Sequence, residues 1–134
     1  MLYYCYSTMI QRGDFMAWQF TSDRPVYVQI AERIKLSVLS GNYQPGQQIP
    51  SVRQLALEAA VNPNTVQHAF TELENDGVII SQGTMGRYVT EDISVIEECR
   101  KKLAEQTVKA FIKNIGKLSV TKSEIIKLIE EEME

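Results

Sequence analysis

Two cysteines and one histidine in 134 residues leave little from which to build a metal centre or a redox pair. Cys5 and Cys99 stand far apart, in no ligand or CxxC spacing, and His68 has no second histidine with which to share a metal. No apolar run approaches the roughly 20 residues that span a bilayer. The start of the chain lacks a basic segment followed by a continuous apolar stretch, so no signal peptide is expected. A paired acid–base constellation, a phosphate loop and a metal cluster are all missing. These absences point to a reduced, cytoplasmic, non-membrane protein without cofactor or metal, and argue against an enzyme.

What is present is ordinary globular composition: 44% hydrophobic and 23% charged residues, with a formal net charge of −3. The length suits one small domain with an appendage, or two very small domains. Residues 1–15 carry no periodicity and read as an N-terminal extension. Two readings of it stay open: sequence lying upstream of a natural start at Met16, or an arm whose tyrosines pack on a neighbouring surface.

From Arg24 the pattern sharpens. Pro25 suits the first position of a helix, and Val26, Ile30, Ile34 and Val38 mark one buried stripe. Gly41 fits a left-handed cap, with a turn at Pro45-Gly46 beyond it. Ser51-Val52-Arg53-Gln54 has the form of a capping box opening a short second helix, with Val52, Leu55 and Ala56 inward. Asn62-Pro63 restarts the chain as N-cap and first helical residue of a third helix, which buries Val66, Ala69, Phe70 and Leu73 and ends at Gly77. Val78-Ile79-Ile80 and Tyr88-Val89 are strand-like, with a hairpin tip over Ser81 to Arg87. The expected fold is mainly α with a small β-hairpin, a winged helix-turn-helix over 16–91. Residues 92–134 add two helices, one with Ile96, Cys99, Leu103, Val108, Phe111, Ile112 and Ile115 in rhythm, the other capped at Thr121. Two helices enclose little core by themselves, so they need the first domain, another subunit, or both.

Two short helices joined by a tight turn, the second opening on polar residues, can present a helix end to the major groove of double-stranded DNA. Asn64 and Gln67 can bond an adenine edge in pairs, and Thr65 can bond bases or phosphate; His68 lies beside them, and Arg53 can reach guanine or backbone. The rival readings are a plain packing module and a protein-interaction module without specific DNA binding. Charge weighs against DNA: residues 17–91 hold five basic groups (Arg24, Arg33, Lys35, Arg53, Arg87) and seven acidic ones. Yet Glu58 is the only acid between Lys35 and Glu72, so the reading surface itself is almost free of negative charge. His68 alone is most simply a surface or groove-facing residue, Cys99 a small core residue, and the spread lysines of 101–117 a solvated face.

Pro25-Val26-Tyr27-Val28-Gln29-Ile30, Ile49-Pro50-Ser51-Val52-Arg53-Gln54-Leu55-Ala56 and Val61-Asn62-Pro63-Asn64-Thr65-Val66 resemble GntR-type transcriptional regulators. The Asn-Pro-Asn-Thr-Val form, the opening Met16-Ala17-Trp18-Gln19-Phe20 and the short C-terminal region are similar to the YtrA subfamily. The resemblance covers roughly 16–134. It implies DNA contacts from Arg53, from Asn62, Asn64, Thr65 and Gln67, and from a wing tip spanning Gly83, Thr84, Gly86 and Arg87; Ser51 and His68 complete the candidate set. It further implies a homodimer joined through 92–134, and a repressor of its own operon and a neighbouring ABC transporter, with a palindromic operator. The chain departs from the family at Pro63, Gln67 and His68, where many members are basic, so the operator does not carry over, and at its less basic wing, which weakens the implied minor-groove contact; no small-molecule effector is read from these residues.

Overall fold

The computed structural model describes residues 18–134, so the extension expected over 1–15, Cys5 and Met16 lie outside the described residues. Helix α1 runs Val26–Leu39 and buries Ile30, Ile34 and Val38 as the stripe predicts, with Val26 half-buried. Pro25 stands one residue earlier than expected. Its ψ of 142° keeps it outside the helix as the cap, while its carbonyl still accepts from the Gln29 N–H. Ser40 and then Gly41, at φ +85°, close the other end.

Helix α2 (Val52–Ala59) is capped by Ser51, whose hydroxyl accepts from the Gln54 N–H at 3.1 Å. The expected capping box is only half formed. The Gln54 side-chain amide donates forward to Glu58 Oε1 at 3.2 Å, because a residue four positions on lies on the same helix face. Helix α3 (Pro63–Asn75) has Asn62 as its cap and Pro63 as its first residue, and buries Val66, Ala69, Phe70 and Leu73. It ends in a Schellman arrangement: Gly77, at φ +77°, donates to the Glu74 carbonyl and Val78 to that of Leu73.

Strand β1 (Ile79–Ser81) pairs antiparallel with β2 (Arg87–Val89), Ile80 opposite Tyr88. Ser81 and Arg87 therefore belong to the ladder, and the tip is shorter than predicted, a 3₁₀ turn over Gly83–Met85. Sequence patterning missed a third lane. Gln48 bridges Tyr88, Ile49 N–H donates to the Arg87 carbonyl, and Val89 N–H donates to the Gln47 carbonyl. The segment entering α2 thus covers the free edge of β2. Phe70, Ile30, Leu73, Ile79, Val66, Val78 and Val89 are the fully buried centre, each worth about 1.5–3 kcal/mol of burial.

Helix α4 (Ile93–Ile115) carries the chain onward. The molecule divides into two compact units between Glu97 and Glu98. The first turn of α4 therefore belongs to the winged unit, and Ile96 is buried there at 4% exposure. In the second unit a 3₁₀ turn (Gly116–Leu118) leads to α5 (Lys122–Glu132), where the Thr121 hydroxyl accepts from the Glu124 N–H. No described residue of 98–134 is buried. Cys99, Leu103, Ile115 and Ile125 reach half-burial, while Val108, Phe111 and Ile112, expected inward, are exposed.

Candidate nucleic-acid interface

The turn between α2 and α3 is set by Ala60. It adopts the left-handed conformation at φ 55°, ψ 47°, donates to the Leu57 carbonyl, and lets Val61 donate to that of Ala56. Asn62 follows directly. Its side-chain oxygen accepts from the Asn64 N–H at 2.8 Å, and its carbonyl accepts from the Thr65 N–H at 2.9 Å. The first turn of α3 is therefore tied down by backbone and cap bonds.

Helical geometry sorts the rest. At about 100° per residue, the side of α3 opposite the buried stripe holds Asn64, Gln67, His68 and Thr71. All four are exposed, whereas Thr65 sits at the flank and is half-buried. Thr71 is absent from the sequence-derived set, although the same period extended by one turn finds it. Its hydroxyl donates to the Gln67 carbonyl at 3.0 Å. Ser51 and Arg53 are exposed at the start of α2.

The cations of the winged unit differ in what they face. Arg24 pairs with Glu32 at 2.6 Å, Lys35 with Asp76 at 2.9 Å, and Arg87 with Glu74 at 2.6 Å. Arg33 lies 4.1 Å over the Trp18 ring, and burial lowers its pKa. The Arg53 side chain has no hydrogen bond or ion pair among the described residues. The two pairs to Glu74 and Asp76 also offset negative charge at the far end of α3, the charge that weighed against DNA.

The wing tip is tied back to its neighbours through one carbonyl. Gln48 Nε2 donates to the Met85 carbonyl at 2.9 Å, and Tyr88 Oη donates to the same oxygen at 3.3 Å. Gly86 is required there: its φ is +105°, and an added Cβ would stand 2.9 Å from Gln48 Nε2. Gly83 and Thr84 are exposed at the tip and Gly86 is half-buried. Arg87, placed by sequence among the tip contacts, turns its guanidinium onto Glu74 and over the Phe70 ring at 4.9 Å. Among the described residues no group of three or more His, Cys, Asp or Glu could hold a metal. No described helix is long and apolar enough to cross a membrane.

Residues 26–89 match the bacterial regulatory proteins of the gntR family. The HTH-type transcriptional regulator YhcF of Bacillus subtilis is 33% identical over 108 residues, 81% of this chain and 89% of the relative. The HTH-type transcriptional repressor YtrA of the same organism is 36% identical over 92 residues, 68% of this chain and 71% of the relative. Among solved structures, a GntR family transcriptional regulator from Listeria monocytogenes is similar at TM-score 0.78 and 36% identity, covering 84% of this chain and 98% of that one. The DNA-binding domain of AraR in complex with operator ORX1 is similar at TM-score 0.51 and 26% identity, covering 54% of this chain and 93% of that one. Motif, fold and relatives agree: the chain belongs to the GntR family of transcriptional regulators, and within it to the YtrA subfamily.

Proposed function

We propose that the chain is a homodimeric transcriptional repressor that lays α3 in the major groove of each half of an imperfect palindrome. The observation that carries this reading is the outward stripe of Asn64, Gln67 and His68, displayed opposite a fully buried stripe, together with an exposed Arg53 whose side chain has no partner among the described residues. Asn and Gln suit adenine edges, and Arg53 suits a guanine edge or a phosphate. Ser51, Asn62 and Thr65 approach the backbone, as hydroxyl and amide groups at helix starts do. Gly83, Thr84 and Gly86, at and beside the wing tip, approach the minor groove. Arg87 serves by fixing that wing to α3. Operator binding by the similar AraR domain supports the same use of this fold.

The apolar residues left exposed in the second unit support a dimer. Val108, Ile112, Leu118, Ile126, Leu128 and Ile129 are each at least 40% exposed, an unusual density for 37 residues of a stable monomer. Two-fold symmetry then sets half-sites about one helical turn, or a small multiple, apart. The test is an anisotropy titration with the DNA upstream of the chain's own gene, competed by unrelated duplex at physiological salt. Binding that survives competition is the expected result; loss of all genomic fragments to the competitor would replace this reading with an interaction module. Sedimentation at micromolar concentration checks the dimer, and a monomer would defeat that part.

A further inference from the structure

Tyr27, in the first turn of α1, and His68, in the second turn of α3, lie face to face, with ring centroids 3.6 Å apart and planes 11° from parallel. His68 is exposed and Tyr27 half-buried. Among the described residues neither side chain enters a hydrogen bond or an ion pair. The absence of a metal-binding cluster among those residues removes ligation as the reason for the arrangement.

The geometry of the pair has a consequence for recognition. Stacking covers a face of the imidazole but not its edge, which carries both ring nitrogens. It also restricts the rotamer freedom that an exposed side chain otherwise keeps until it binds. His68 stands one turn beyond Asn64 on the outward stripe of α3, so the restrained edge belongs to the surface proposed to meet the groove. Ordering a free side chain at an interface weakens binding by a factor of roughly two to ten, and a side chain already ordered avoids that loss.

We infer that Tyr27 is a positioning residue for DNA recognition: its ring fixes His68 so that an imidazole N–H is offered to a hydrogen-bond acceptor of the bound duplex. This rests on the DNA-binding reading above. The hydroxyl of Tyr27 has no part in it; the aromatic face does.

The probe is the duplex that the wild-type full chain selects from a random-sequence library, with a scrambled duplex as control, titrated at fixed salt. Tyr27→Leu removes the stack and weakens binding roughly fivefold. His68→Phe keeps a stack but removes the nitrogens, and weakens it by a similar factor. The double change Tyr27→Leu/His68→Ala binds no worse than His68→Ala alone, because the first acts only through the second. Tyr27→Phe rescues. Loss on the selected duplex alone identifies a base acceptor, and equal loss on both duplexes a phosphate. Equal weakening by Tyr27→Phe and Tyr27→Leu would assign the effect to the hydroxyl and overturn the inference, as would additive losses in the double variant. Thermal melts accompany each variant; if Tyr27→Leu melts early, His68→Phe decides, and wild-type affinity there also overturns it. Failure of the wild-type chain to select any duplex is a different outcome, one that overturns the DNA-binding reading itself.

Discussion

Arg87 on β2 and Glu74 on α3 join the wing to the third helix: the guanidinium Nε–H donates to Glu74 Oε1 at 2.6 Å, while the same group covers the Phe70 ring. Both side chains are no more than a third exposed, at 21% and 32%, so the pair is less screened than a surface ion pair. Glu74→Gln should cost about 1 kcal/mol of stability and lower the melting temperature by a few degrees. It should also weaken duplex binding more than its distance from α3's outward stripe would warrant, through the loosened wing. Paired melting and anisotropy curves check both. Unchanged curves would reduce the pair to a surface contact.

Arg53 behaves oppositely. With no side-chain partner among the described residues, Arg53→Ala should leave the melting curve within about 0.5 kcal/mol of wild type while costing about 1–3 kcal/mol of binding to the selected duplex. Unchanged affinity at fixed salt would reject a base-reading role.

Asn62 combines a cap with a place in the proposed interface. Asn62→Ala should cost about 1 kcal/mol of stability, since the Asn64 N–H loses its acceptor. Asn62→Asp retains the cap and should melt at or above the wild-type temperature, yet bind duplex more weakly by setting a carboxylate near phosphate. Equal affinity in the Asp variant would place Asn62 away from the DNA.

At Ala60 the left-handed backbone costs a side-chain-bearing residue roughly 1–2 kcal/mol, against which glycine's extra chain entropy is about 0.5–1 kcal/mol. Ala60→Gly should therefore stabilise the chain by about 0.5–1 kcal/mol, read as a higher urea midpoint with an unchanged m-value.

Asp92 stands before α4 and accepts from both the N–H and the hydroxyl of Ser94, at 3.0 and 2.5 Å. The Ser94 hydroxyl above all, then the Ser94 and Val95 N–H groups, hold its carboxyl below the ordinary aspartate value. A depressed folded-state value means the contribution is fully present above the unfolded value, about pH 4, and is lost as pH falls through the folded one. Wild type should thus lose melting temperature on acidification below about pH 4 more steeply than Asp92→Asn. Parallel pH profiles would refute this.

The α3 helix is legible in the sequence alone: Asn62, Pro63, the four buried residues and Gly77 are local signals, each acting within one turn of itself. The short strands were legible in place but not in extent, because pairing of Ser81 with Arg87 depends on the partner strand rather than on either residue. Gln54 shows the limit even at short range, since a capping box and an i,i+4 bond compete for one amide.

In the winged unit the element order and the buried stripes of α1 to α3 follow from local sequence, because helical periodicity is an interaction between residues a few positions apart. Only the tertiary structure decided that Gln48 closes the free edge of the wing, that Arg87 faces Glu74 instead of the wing tip, and that Tyr27 shelters one face of His68. Those partners come from different elements, and no local pattern encodes them. They meet because burial of one shared core brings α1, α3 and the hairpin against each other, leaving each polar or aromatic group to find what lies within reach.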